Sequence, residues 1–136
     1  MRIEKVKTNE MVLIRLNPGD DILLSLKEAV KQEGIENGWI LNCAGSVSAH
    51  HFHVVSSRVN PPEETFVKAS APADVIGLSG MILDGKVHAH IVFSNDKTAY
   101  GGHLEEGTTV LTFFALAIIP LSVSLKAWDS IGDLES

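Results

Sequence analysis

Apolar positions begin with a short run at residues 11–16, broken only by Arg15, and this run reads as a strand. Asn17-Pro18-Gly19 is a turn, and Asp20 stands where an N-cap belongs. Ile22, Leu23, Leu26, Ala29 and Val30 then recur at the three- and four-residue spacing of one helical face. Gly34 suits the left-handed position that ends a helix, with Ile35 placed for the accompanying apolar contact. Beyond it the texture changes to that of strands. Residues 39–44, 52–56, 64–69, 75–83, 86–93, 98–104, 109–119 and 122–128 read as strands, with Pro61-Pro62 breaking the chain between the second and third. Asp84-Gly85 is a two-residue hairpin turn. One helix followed by a meander of hairpins predicts an α+β protein. It would be a mostly antiparallel β-sheet with one main helix packed on it, residues 1–136 forming a single domain.

The strand pattern gives three histidines a common direction. Residues two apart on a strand share a face, so His88 and His90 point one way and Ala89, Ile91 and Phe93 the other. A turn centred on Asn95-Asp96 would set His103 across from His88 and Gly101 across from His90. Three imidazoles then converge, and Gly101 leaves room above the sheet. The same parity sends Tyr100 and Leu104 to the core side with Val87 and Ile91, and a one-residue slip would spoil both patterns. On the other flank, the Asp84-Gly85 turn sets His88 opposite Met81 and His90 opposite Ser79, whose hydroxyl is a candidate supporting hydrogen-bond partner. Three histidines with an open fourth position match a catalytic zinc arrangement. Zinc is the first expectation, and nickel, copper, iron or manganese also suit such donors. Glu105 shares the parity of His103 and is a candidate fourth ligand. The competing reading makes these histidines ordinary sheet residues bonded to water or main chain.

Composition narrows the functional classes. The chain has 136 residues with 11 basic and 17 acidic ones, a formal net charge of −6, and no basic run of the kind that neutralises phosphates. Nucleic acid is therefore an unfavoured partner. The longest apolar run, residues 113–121, falls well short of the roughly 20 residues that span a bilayer. A single cysteine and an N-terminus without an apolar leader core lead us to expect a cytoplasmic protein with no membrane partner.

Other residues carry two readings each. Arg15, inside an apolar run, needs a partner if buried, so it reads as a structural ion pair or interface contact, or as an anchor for a small anionic ligand. His51 and His53 share a face and read as a polar strand rim, or as a second metal cluster with neighbouring His50. Cys43 in its apolar run reads as a small core residue rather than a nucleophile. Residues 110–121 are apolar on both parities, which calls for cover on both faces and so predicts a homo-oligomer.

Gly80-Met-Ile-Leu-Asp-Gly-Lys-Val-His88-Ala-His90, followed by Gly101-Gly-His103-Leu104 and Gly107, resembles the plant and prokaryote conserved (PPC) domain family. Arg15-Leu-Asn-Pro-Gly-Asp20 is similar to the family's Arg-x-x-x-Gly-Glu/Asp stretch, and Asn42-Cys-Ala-Gly-Ser-Val-Ser48 to its Gly-Ser strand. The resemblance implies a homotrimer, a metal on the three histidines, and a fold similar to acetolactate decarboxylase, a zinc enzyme. In plants the domain accompanies AT-hook segments that bind DNA, and this chain has no such hook. Ala115 stands where the family often carries a glutamate. The expectation is therefore a metal-binding homo-oligomer with a small-molecule or regulatory role. The alternatives are a metal-dependent enzyme acting on a small oxo-acid, with Glu105, Glu106 or His53 as acid or base, and a DNA-associated regulator.

Overall fold

β1 (Val12–Leu16) runs through a turn at Asn17 into α1 (Ile22–Gln32), in a computed structural model that describes residues 1–134. The last two residues of the expected 1–136 domain lie outside the described residues. Asp21, not Asp20, caps the helix, its carboxylate accepting from Leu24 N–H at 3.0 Å. The Asp20 carboxylate instead accepts from Asn17 N–H at 2.8 Å and closes the turn. At the other end Gly34 takes φ 62°, with Gly34 N–H donating to Lys31 O and Ile35 N–H to Val30 O. This is the paired-bond termination that the glycine predicts, and Ile35 is buried behind it.

β2 (Gly38–Val55), β3 (Glu64–Ala69), β4 (Ala73–Leu83), β5 (Lys86–Ser94), β6 (Ala99–Leu104) and β7 (Thr109–Pro120) complete an antiparallel sheet in the order β1-β7-β2-β4-β5-β6, with β3 also on β2. The α+β expectation holds: the chain is mostly antiparallel strand with one helix. Asp84 and Gly85 both take positive φ, 48° and 79°, as a tight hairpin turn between right-twisted strands requires. The helix lays Ile22, Leu23, Leu26 and Val30 against the inner face of the sheet, where Ile40, Ile91, Phe93, Phe114 and Ile118 are buried.

Two sequence expectations change. Residues 39–44 and 52–56 are parts of one 18-residue strand. Its register against β7 shifts three times between Ile40 and Ala49, and such bulges bend a strand without ending it. The bent β2 pairs with β4 along its first half and with β3 and β6 at its end, so β6 meets β2 again and the sheet curls closed. Residues 122–128 are not a strand. Asn37 holds this segment as turns: its Oδ1 accepts from Leu125 N–H at 2.8 Å, its carbonyl accepts from Leu121 N–H, and Ala127 takes φ 63°. These bonds use main-chain donors that a sheet ladder would need.

The outer face of β7 is open within one chain. Val110, Phe114, Leu116 and Ile118 are buried, whereas Leu111 and Phe113 remain more than 40% exposed.

Asn37→Ala removes the acceptor for the buried Leu125 N–H. It should destabilise the protein by about 1–3 kcal/mol in urea unfolding, the usual cost of a buried donor left unpaired. An unchanged midpoint would mean that Asn37 does not anchor the C-terminal segment.

Candidate metal centre

The histidines meet because of one cross-strand row. Ser79 pairs with His90, His90 with His103, His103 with His53, and His53 with Phe66, across β4, β5, β6, β2 and β3. His88 lies two residues from His90 on the same face and pairs with Met81, which pairs with Trp39. The Ser79 and Met81 pairings are those expected from the Asp84-Gly85 turn. The β5–β6 register differs from expectation by two residues: His103 faces His90, and Gly101 faces Val92. Asn95 is the cause. Its Oδ1 accepts from Lys97 N–H and Thr98 N–H, and its own N–H donates to Thr98 O, giving a four-residue loop instead of a two-residue one. A slip of two preserves side-chain direction, so the three histidines keep their common face and Leu104 and Tyr100 keep the core side.

Gly101 therefore does different work from that expected. A Cβ there would lie 2.0 Å from Ile91 O, and one on Gly102 would lie 2.3 Å from His53 O. The glycine pair lets β6 approach β5 on one side and β2 on the other, rather than leaving a gap over the histidines.

His88, His90 and His103 each offer a ring nitrogen within 4.8 Å of the others. Ring centroids are 4.6 Å apart for His88–His103, 5.4 Å for His88–His90 and 5.7 Å for His90–His103. His88 Nδ1 lies 3.0 Å from Asp129 Oδ2. An ionised carboxylate only accepts, so His88 donates through Nδ1 and its Nε2 lone pair is free. Bonding to His88 holds the Asp129 carboxyl below the usual carboxylate range, helped by Lys86 at 3.7 Å and opposed by burial. Burial lowers the pKa of His103 to about 4, with the charges of His88 and His53 adding to the effect. Burial also lowers His90, again with His88 and His53 contributing. Rings kept unprotonated at neutral pH present lone pairs, which is the form that ligates a metal.

His53 joins this group, against the expectation of a polar rim. Its ring centroid is 4.4 Å from that of His103, and its Nδ1 is 2.6 Å from Glu105 Oε1. Glu105 is set in place by its N–H, which donates to His51 O, and by Thr108, whose hydroxyl bonds the main chain of both His51 and Glu105. His51 itself turns to Glu106 O. His50 takes the opposite face and is buried 5.1 Å from each of Phe93 and Tyr100, so it belongs to the core rather than to a metal cluster. Glu106 is off the site, ion-paired with Lys27 at 2.8 Å.

Ser79 lines a cleft of about 150 Å³ with Trp39, Gly80, Met81, His88 and His90. Arg15 is not brought to the histidines. It is exposed, bonded to Asn17, and β7, β2 and β4 lie between its strand and β5. The apolar run around it is only half-covered, so no buried partner is required. Cys43 is half-buried, and burial pushes its thiol up to about 12, which makes it a poor nucleophile as expected. Asp129 was not foreseen, because it belongs to a segment read as running past a strand. An acidic residue just after Trp128 carries no periodic signal.

The curled antiparallel sheet with one helix is a fold shared with known proteins. The family model for the Plants and Prokaryotes Conserved (PCC) domain matches residues 3–122, and the chain belongs to that family. A PPC protein of Pyrococcus horikoshii is 26% identical, with 91% of this chain and 87% of that one covered and a TM-score of 0.75. A metal-containing protein of Archaeoglobus fulgidus shares the fold at 23% identity, TM-score 0.77, covering 91% and 88% of the two chains. A Staphylococcus aureus protein similar to α-acetolactate decarboxylase shares the fold at 12% identity and TM-score 0.57, covering 98% of this chain and 63% of that one. Among curated proteins, a bifunctional protein GlmU of Synechococcus is 27% identical over 100 residues. That match covers 73% of this chain but only 15% of the length of that relative.

The depressed histidines set a pH dependence for metal-free protein. Between about pH 6.5 and 4 the unfolded chain takes up a proton at His103 that the folded chain refuses. Stability should therefore be highest above pH 6.5, fall as pH drops towards 4, and level off for this group below that. His103→Gln should flatten this part of a Tm-against-pH curve measured in chelator. An equally steep curve in the variant would remove the assignment.

Proposed function

We propose that this protein is a metal-binding homo-oligomer in which His88, His90 and His103 hold one divalent transition metal, with a position left open for a small ligand. The observation that carries the reading is the convergence of three ring nitrogens within 4.8 Å on one sheet face. The donor set suits the ion. Three imidazoles match zinc, our first candidate, and the carboxylate on His88 Nδ1 is the support that metal-bound histidines usually have. The A. fulgidus relative is described as metal-containing, which agrees.

When bound, the metal would supply a Lewis acid able to polarise a carbonyl or carboxylate oxygen. The cleft beside His88 and His90 admits a small molecule, with Trp39 and Met81 as apolar walls and the Ser79 hydroxyl at its side. A second reading, a metal-dependent enzyme acting on a small oxo-acid, draws support from the His53–Glu105 pair beside His103, where Glu105 Oε1 faces His53 Nδ1. Arg15 has no part in either reading within one chain. A structural relative from Bacteroides thetaiotaomicron, 16% identical, is described as proposed to bind DNA. The net charge of −6 argues against that role here.

Self-association is the expected partnership, a trimer by family resemblance. Leu13, Trp39, Leu41, Leu111 and Phe113 are exposed on the neighbouring strands β1, β7 and β2, and large apolar side chains exposed on adjacent strands mark an interaction surface. We place the protein in the cytoplasm, in keeping with its free Cys43. Among the described residues no helix is long and apolar enough to cross a membrane.

Elemental analysis tests the central claim. His103→Ala should abolish metal retention, and Asp129→Asn should weaken affinity by roughly 10–100-fold, the usual effect of losing a ligand's carboxylate support. Full retention by folded His103→Ala would exclude the three-histidine site. For the assembly, Phe113→Glu should shift the protein from oligomer to monomer in light scattering, and an unchanged mass would exclude that face.

A further inference from the structure

The geometry points to a second cation position, built from His53, His103 and Glu105, adjoining the three-histidine position and joined to it through His103. Ligand atoms of these three residues also lie within 4.8 Å of one another. His53 comes from the end of β2, His103 from β6, and Glu105 from the bend that follows β6. The set therefore exists only because the sheet closes. His103 can serve both positions at once only as a bridging imidazolate, its remaining N–H proton passing to solvent as the second cation binds.

Charge favours a cation there. His53 stands between two carboxylates, with Glu105 Oε1 2.6 Å from Nδ1 and Glu64 Oε1 3.4 Å from Nε2. Among the described residues, neither carboxylate has a lysine or arginine ion-pair partner. The adjacent Glu106 is different, because Lys27 neutralises it at 2.8 Å. Glu105 is half-buried, and its N–H bond to His51 O together with the Thr108 hydroxyl fixes the chain that carries it. The carboxylate is thus held on His53, with a ligand atom of His103 within 4.8 Å. A divalent cation would take the place of the hydrogen bond between His53 Nδ1 and Glu105 Oε1.

The donors also set the class of ion. Two imidazoles and one carboxylate form a harder set than three imidazoles. They suit zinc, and they suit iron(II) or manganese(II) better than the all-nitrogen position does. The two positions should therefore differ in preference, with manganese competing mainly at the carboxylate one.

The proposal adjoins the three-histidine reading, so the test separates the two. Metal-free full-length protein is titrated with Zn²⁺ in a calorimeter, and retained zinc is counted by elemental analysis after desalting. Wild type should bind two equivalents per chain. Glu105→Gln and His90→Ala should each bind one, the double variant none, and Glu106→Gln two. Mn²⁺ in large excess should compete only for the equivalent that Glu105→Gln removes. Circular dichroism checks folding, and His53→Asn provides an independent loss of the same position if Glu105→Gln does not fold. One equivalent in wild type, unaffected by Glu105→Gln and by His53→Asn, would overturn the second position and leave the first intact. One equivalent lost in both Glu105→Gln and His90→Ala would also overturn it, since the ligands would then serve a single ion. No binding at all would overturn both readings.

Discussion

The close approach of β6 to both of its neighbours governs the rest of this molecule. Strand backbones come this near only where side chains are missing, and Gly101 and Gly102 remove one on each side. With β6 seated, β2 and β5 are brought to either side of it. His53 and His90 then flank His103 in one row. Both the inner core, through Leu104, and the outer histidine face, through His103, follow from that seat.

The two faces of the sheet divide the chemistry. Inside, the helix and the curled sheet bury an apolar cluster together with the aromatic group around His50. Outside, imidazoles and carboxylates collect beside an exposed apolar surface. Desolvation lowers the proton affinity of His103 and His90, while Asp129 holds the His88 ring through its Nδ1 and Glu105 meets Nδ1 of His53. The site is thus arranged for lone pairs rather than positive charge, which is the electrostatic condition for binding a cation. Its carboxylates come from the C-terminal turns and from the bend after β6, so the parts farthest from the hairpin contribute to its tuning.

Much of the fold was legible in the chain because its signals are local. The helix and its glycine stop, the Asp84-Gly85 turn and the alternation along β5 each depend on a few adjacent residues. Strand parity placed His88, His90 and His103 on one face, and it survived a wrong loop length because an even slip leaves direction unchanged. The family itself was legible in the His-x-His and Gly-Gly-His motifs, and the match over residues 3–122 bears this out.

Sequence alone therefore determined the helix and most of the strands, the inner and outer faces, and three of the residues at the centre, since periodicity of two and turn chemistry are written in neighbouring positions. Tertiary structure decided which residues stand together. It bent β2 so that His53 reached His103, and it folded the segment after β7 so that Asp129 reached His88. It also left Arg15 on a distant strand. Those outcomes depend on bulges, on closure of the sheet and on a side-chain anchor at Asn37, which join residues far apart in the chain and leave no mark in local spacing.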